Sequence, residues 1–166
     1  MIHFSRTTTR RALLVAACAL TLVGCASTPG TSNLSDALAR QPNLSTFTGL
    51  LAQAGLTHTL KADGPYTVFA PTNDAFKAVP ASTMDDLAKH PEKLKAVLDY
   101  HVVLGKTMAA DVKNSQVKTL NGAAVALSKA GDFITVENAA VVTADTLASN
   151  GVAHTIDMVL FPPKKK

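Results

Sequence analysis

The chain has 166 residues, with 16 Lys and Arg against 12 Asp and Glu, a formal charge of +4. Arg6, Arg10 and Arg11 precede an apolar run, and Lys164, Lys165 and Lys166 end the chain, so the body between them sits near −2. A clustered basic face, the footprint of nucleic-acid binding, is not part of this pattern. The two cysteines, Cys18 and Cys25, are both near the N-terminus, so the roughly 141 residues beyond Cys25 have no thiol for a disulfide or a cysteine metal site.

The first segment orders its residues as positive, apolar, small. Ala12 to Val23 is a twelve-residue apolar or small-residue run, followed by Gly24-Cys25. That order is the one a secretory signal uses. A helix needs about 20 apolar residues to cross the hydrocarbon core, so this run is too short for a permanent span. Leu22-Val23-Gly24-Cys25 resembles the lipobox of bacterial lipoproteins. The resemblance implies cleavage before Cys25 and lipid on its sulfur, a role suited to the nucleophilic thiolate. The other reading is an ordinary signal cut near Ala26-Ser27. Arg10-Arg11 raises twin-arginine export, although the flanking residues lack the rest of that motif. The expected division is a signal over 1–24, lipidated Cys25 with a flexible tether over 25–32, one domain over 33–163, and a basic tail over 164–166. Ala26, where an aspartate would favour inner-membrane retention, points to an outer-membrane location facing the periplasm or the cell surface.

Beyond the tether, Asn33 to Arg40 reads as a short helix with Leu34, Ala37 and Leu38 on one side. Asn33-Leu-Ser and Asn43-Leu-Ser fit the glycosylation pattern, but both asparagines are read as helix caps. Leu44, Phe47, Leu50, Leu51 and Ala54 keep the helical period until Gly55. Asp63-Gly64-Pro65 predicts a turn, and Tyr66 to Ala70 a buried strand. Thr72 caps a short helix through Phe76. Ser82 to Lys89 predicts another, with Ser82 and Asp85 in a loose capping box. Pro91 opens a third, carrying Leu94, Val97, Leu98 and His101 on one face.

The second half is read as strands. Val117 to Leu120 and Ala123 to Leu127 flank Asn121-Gly122, a strong hairpin signal. Gly131-Asp132 turns the chain into Phe133 to Val136, Ala140 to Thr143 is a further strand, and Val152 to Leu160 the last. Phe69, Phe76 and Phe133 are expected in the core. Helices followed by strands predict an α+β fold.

Three segments together resemble the fasciclin domain family: Tyr66 to Pro80 (YTVFAPTNDAFKAVP), Tyr100-His101, and Ala144 to Pro162 (ADTLASNGVAHTIDMVLFP). The resemblance covers about Leu34 to Pro163. It implies a single fasciclin-like domain, a wedge of β-strands with helices packed against it, and binding or adhesion at a cell surface without catalysis. It marks Thr72, Asn73, Asp74, His101, His154 and Asp157 as structural signature positions. It places partner contact at Asp145, Thr146, Tyr100 and His101. In animal members an Asp-Ile pair is linked to adhesion; here the pair is Asp145-Thr146. Ala153 and Thr155 stand where the family carries larger apolar residues, and the smaller volume leaves a cavity unless a neighbour fills it.

The mature histidines, His58, His90, His101 and His154, show no metal-ligand spacing such as H-E-x-x-H. His101 and His154 are read as buried polar residues satisfied by hydrogen bonds, with Asn73 or Asp74 as partners for His101. No cofactor, metal or catalytic residue is assigned. The expected function is a membrane-anchored binding module for a protein or glycan at the bacterial envelope, with no nucleic-acid partner. The alternative is a small-ligand carrier or sensor whose pocket opens at Ala153 and Thr155.

Overall fold

A computed structural model describes residues 32–62 and 64–163. Cys25, the tether through Thr31, Asp63 of the predicted turn and Lys164 to Lys166 lie outside the described residues. No helix among the described residues is long and apolar enough to cross a membrane.

The helical half begins with α1 (Leu34–Ala39), where the Asn33 side chain accepts from the Asp36 amide at 3.0 Å and Leu34, Ala37 and Leu38 are buried. A 3-10 turn (Pro42–Leu44) leads into α2 (Ser45–Gln53), which buries Phe47 and Leu51. Asn43 caps neither element; the amide of Thr46 instead bonds to the distant Asn73 side chain. The chain then makes α3 (Thr57–Lys61), a single turn pinned by buried Leu60. Five residues are too few to display a helical period, and such a short helix depends on packing.

After β1 (Tyr66–Pro71) come α4 (Asn73–Lys77), α5 (Ala81–Lys89) and α6 (Pro91–Tyr100). The capping box expected at Ser82 and Asp85 does not form: α5 starts one residue earlier, behind Pro80, with no side-chain cap. Proline at the first position of α6 costs that helix nothing, because that amide has no intrahelical acceptor. Leu94, Val97 and Leu98 on one face of α6 are buried, together with Tyr100 and His101.

The strands β2 (Val102–Leu104), β3 (Ser115–Lys118), β4 (Ala124–Ala130), β5 (Phe133–Val136), β6 (Ala139–Ala148) and β7 (Gly151–Ile156) complete a seven-stranded sheet in the order β2-β1-β7-β6-β5-β4-β3. Every neighbouring pair is antiparallel except β1 and β7, which run parallel with Tyr66 opposite Gly151 and Pro71 opposite Ile156. The first and last strands of that order approach each other through a bridge between Val103 and Thr119, so the sheet nearly closes.

Near-closure separates two cores. On one side of β1 and β7, Val68, Ala70 and Ala153 pack against Leu34, Leu38, Phe47 and Leu98 of the helices. On the other, Phe69 and Ile156 pack against Val125, Leu127, Ile134 and Val136 of the strands. Buried on both faces, β1 and β7 read as continuous runs rather than as alternating ones, as central parallel strands do.

Three further sequence expectations change among the strands. The strand expected over Ala140 to Thr143 is the ten-residue β6, whose register against β7 shifts twice, between Val141 and Thr143 and between Thr143 and Thr146. Such bulges destroy the period-two alternation that would have revealed its length. The last strand stops at Ile156 instead of Leu160. Phe133 is not core: it is 80 % exposed, because Ile134 and Val136 take the inward positions of β5.

Gly151 marks the tightest approach of the fold. A Cβ there would collide with the Tyr66 carbonyl oxygen and lie 2.7 Å from Leu34 Cδ1. Gly49, exposed within α2, has nothing within 4 Å of such a Cβ. Gly151→Ala is therefore expected to destabilise by about 3 kcal/mol or more, through displacement of packed backbone. Gly49→Ala is expected to stabilise by about 0.5–1 kcal/mol. Denaturant unfolding of both variants measures the contrast.

Candidate functional site

The signature residues are distributed as ties between chain segments. Thr72 Oγ1 accepts from the Ala75 amide at 3.1 Å and starts α4. Asn73 Oδ1 accepts from the Thr46 amide at 2.9 Å, and its Nδ2 donates to the Pro42 carbonyl at 3.0 Å, so one side chain joins the start of α2 to the end of β1. Asp74 is exposed and pairs with Lys77 at 2.8 Å. Asp157 closes the sheet end by accepting from the Ala140 amide at 2.7 Å. Asn150 accepts from the Leu34 amide at 2.8 Å and donates to the carbonyls of Leu60 (2.7 Å) and Ala62 (2.8 Å).

The two buried histidines work as a complementary pair. His101 donates from Nδ1 to the Val97 carbonyl at 2.8 Å, and its Nε2 accepts from the Leu160 amide at 3.0 Å. His154 has the opposite tautomer: Nδ1 accepts from the Asp145 amide at 3.2 Å, and Nε2 donates to the Thr107 carbonyl at 2.9 Å. Neither partner of His101 is Asn73 or Asp74, which corrects the sequence expectation. Each neutral ring uses its one donor and its one acceptor on the main chain. His101 also tilts against Phe47, and His154 stacks on Phe69. With both nitrogens occupied by backbone groups, neither imidazole is positioned to exchange a proton with a substrate.

Partner contact at Tyr100 and His101 is also corrected, because both are fully buried. Asp145 is half-buried at a positive φ of 57°, and its Oδ1 accepts from the Ala109 amide at 2.8 Å. Thr146 Oγ1 accepts from Gln41 Nε2 at 3.3 Å. This pair is tied into the bulge of β6. Ala153 and Thr155 are buried, and Ala153 lies within the helix-side core. The hollows described next are not lined by either residue.

Features open to a partner lie elsewhere. Among the described residues Phe133 is the most exposed large apolar side chain, and Val142 of the neighbouring strand β6 is 63 % exposed. A hollow of about 330 Å³ is lined by Ala75, Val79, Pro80, Glu137, Met158 and Phe161, among others. A wider hollow of about 740 Å³ opens between α5 and α6 beside Phe161 and Pro163. The outward position of Phe133 follows from the inward positions of Ile134 and Val136; nothing in the sequence marked Glu137. Among the described residues, no group of three or more His, Cys, Asp or Glu is placed to hold a metal ion.

Burial pushes His101 down to about 4, against the raising influence of its bond to Val97. The unfolded chain therefore binds the extra proton between pH 6.5 and about 4, and stability present above pH 6.5 is lost as pH falls through that window. Burial raises Asp99, which acts with the opposite sign at the acidic end. The His101 contribution is thus the difference between the parent and His101→Gln. The parent is expected to lose about 1 kcal/mol per pH unit below pH 6 relative to the variant. The variant is expected to be weaker by about 1–3 kcal/mol at pH 7, since one glutamine amide cannot keep both imidazole bonds and leaves the Val97 carbonyl or the Leu160 amide without its partner. Urea unfolding from pH 7 to pH 4 checks both.

The fasciclin domain family model matches residues 42–162. Protein sll1483 of a Synechocystis strain is 41% identical over 144 residues, covering 86% of this chain and 80% of that protein. Cell surface glycolipoprotein MPB83 of Mycobacterium bovis is 36% identical over 135 residues, covering 78% of this chain and 60% of that protein. Among solved structures, a FAS1 domain pair from the insect cell adhesion molecule Fasciclin I superposes with a TM-score of 0.62 at 16% identity. The match covers 82% of this chain, which spans about half of that one.

Proposed function

The chain belongs to the fasciclin domain family, and from that premise we propose that it is a lipid-anchored binding module of the bacterial envelope. Its lipid is on Cys25, and its apolar surface meets a protein or glycan partner. The observation that carries this reading is the polarity of the domain. Ser32, the first described residue, accepts from the Ser149 amide at 2.9 Å, so the chain enters beside the β6–β7 turn. The β5–β6 turn lies at the other end of β6. Ten strand residues put on the order of 25–30 Å between the two ends. An anchor on the Ser32 side thus leaves the β5–β6 turn and its Glu137 hollow at the end far from the membrane, with Phe133 and Val142 each three residues back from that end.

The lipobox at Leu22 to Cys25 supports the anchor, as does a relative described as a cell surface glycolipoprotein. Family membership and the insect adhesion molecule of the same fold support adhesion. The binding reading is favoured over catalysis because His101 and His154 spend both ring nitrogens on the main chain. The carrier alternative draws no support from Ala153 and Thr155, which line neither hollow.

Two changes test the proposal. Cys25→Ala is expected to move the protein from the membrane fraction to the soluble fraction; an unchanged membrane fraction removes the lipid anchor. Phe133→Ser is expected to reduce surface attachment of the producing cells while leaving unfolding within about 0.5 kcal/mol of the parent, as suits an exposed site. Equal attachment by parent, variant and deletion strains across several surfaces removes adhesion.

A further inference from the structure

The hollow beside the β5–β6 turn has an unusual residue at its rim. Val136 pairs with Ala139, so Glu137 and Asn138 form a two-residue hairpin turn. Glu137 has φ 55° at the first central position, where a positive φ favours glycine. A residue held in such a conformation points to a requirement for its side chain. That side chain is fixed from inside: the hydroxyl of fully buried Tyr100 donates to Glu137 Oε1, with the Ala124 carbonyl 3.1 Å away as a second acceptor. Burial, and then this bond, raise the Tyr100 hydroxyl well above its ordinary value, so it remains a donor.

Glu137 itself is exposed, and among the described residues no cation forms an ion pair with it. Its surroundings in the hollow are largely apolar, with Ala75, Val79 and Pro80 and half-exposed Met158 and Phe161 in the lining. A positioned carboxylate beside an aromatic ring and a thioether suits one kind of group, an aliphatic stem ending in a cation. The volume of about 330 Å³ is at the small end for ligand sites and matches a side chain rather than a large molecule.

We propose that the Glu137 hollow binds a lysine or arginine side chain of a partner protein, with Glu137 receiving the cation and Met158 and Phe161 covering its stem and an adjacent apolar residue. The proposal rests on the reading of the chain as a binding module and supplies the chemistry of its partner. Charge complementarity commits it to a cationic segment, since the carboxylate is pinned and has no cation of the described fold beside it. Tyr100 is a positioning residue: it acts through Glu137 and does not touch the partner.

The test is titration of the 15N-labelled full chain with the peptide acetyl-Phe-Lys-Leu-amide, and with the same peptide carrying norleucine in place of lysine. Saturable shifts are expected at the amides of Glu137, Asn138, Met158 and Phe161. The lysine peptide is expected to bind about five- to tenfold more tightly, the range of a partly exposed ion pair with a cation–aromatic contribution. Glu137→Gln keeps an acceptor for Tyr100 and is expected to abolish that preference; Tyr100→Phe is expected to weaken it while norleucine binding stays constant. Equal binding of the two peptides, or a preference that survives Glu137→Gln, overturns the proposal. So does a shift of the same amides in the free chain when Lys164, Lys165 and Lys166 are replaced by serine, or on dilution, because the occupant is then this chain's own tail or a second copy. The titration needs neither lipid nor cell, so its failure is distinguishable from failure of the anchored adhesion module.

Discussion

The parallel contact between β1 and β7 is the constraint on which the rest of this fold depends. It joins a strand from the helical half to the last strand of the chain, and it is buried on both faces. Its closeness requires a glycine, since at Gly151 only a hydrogen fits between the Tyr66 carbonyl and Leu34. Asn150, the preceding residue, then fastens the start of α1 and the end of α3 to the same point. The first and third helices and the last strand of the described fold are thus fixed by two adjacent residues, one with no side-chain volume and the other with three hydrogen bonds.

Burial on both faces leaves no solvent-facing side for polar groups on these strands, so each must be satisfied inside. Thr67 Oγ1 donates to the Gly105 carbonyl at 2.7 Å and accepts from the Thr107 amide at 2.9 Å. His154 takes the Thr107 carbonyl, and Asp145 takes the Ala109 amide. Together they fasten the segment between β2 and β3 over the strand-side core. His101 does the same for the chain end, through the Leu160 amide. A charge on that imidazole would lose its acceptor role as well as its solvation, which is why protonation acts against the fold and why the ring is unsuited to catalysis.

How much of this was legible in the sequence follows from the range of each signal. Local signals carried far: the Asn33 and Thr72 caps, the Pro91 start, the Asn121-Gly122 reversal and the α+β order all depend on a few neighbouring residues. Signals that needed a periodicity failed where the period was cut short or broken, at α3 and along the bulged β6. Phe133 opens β5, where a four-residue strand leaves the choice of inward face open, and the structure gives that face to Ile134 and Val136. The partners of His101 were missed for a different reason. Asn73 is close in motif but reaches across to Thr46 and Pro42, whereas His101 bonds backbone at Leu160, 59 residues away. A backbone acceptor or donor leaves no mark in a sequence. The smaller residues Ala153 and Thr155 signalled a cavity only if their neighbours stayed fixed, and Ala153 is instead packed within the helix-side core.

The same contrast separates the residues that hold the fold from those available to a partner. Interior polar groups such as Thr67, His101 and His154 are fixed by the main chain and have little left to offer. Glu137 differs: one carboxylate oxygen is held by Tyr100 from within, while the residue stands exposed at the rim of an apolar hollow. A carboxylate anchored on one side and open on the other loses little side-chain freedom when a cation arrives, because its ordering has already occurred in folding. That asymmetry, and not the signature motif itself, is what the proposed recognition of a cation draws on. The motif supplies the rigid wedge, and the turn beyond it, where the chain adopts a positive φ, supplies a carboxylate already held in place.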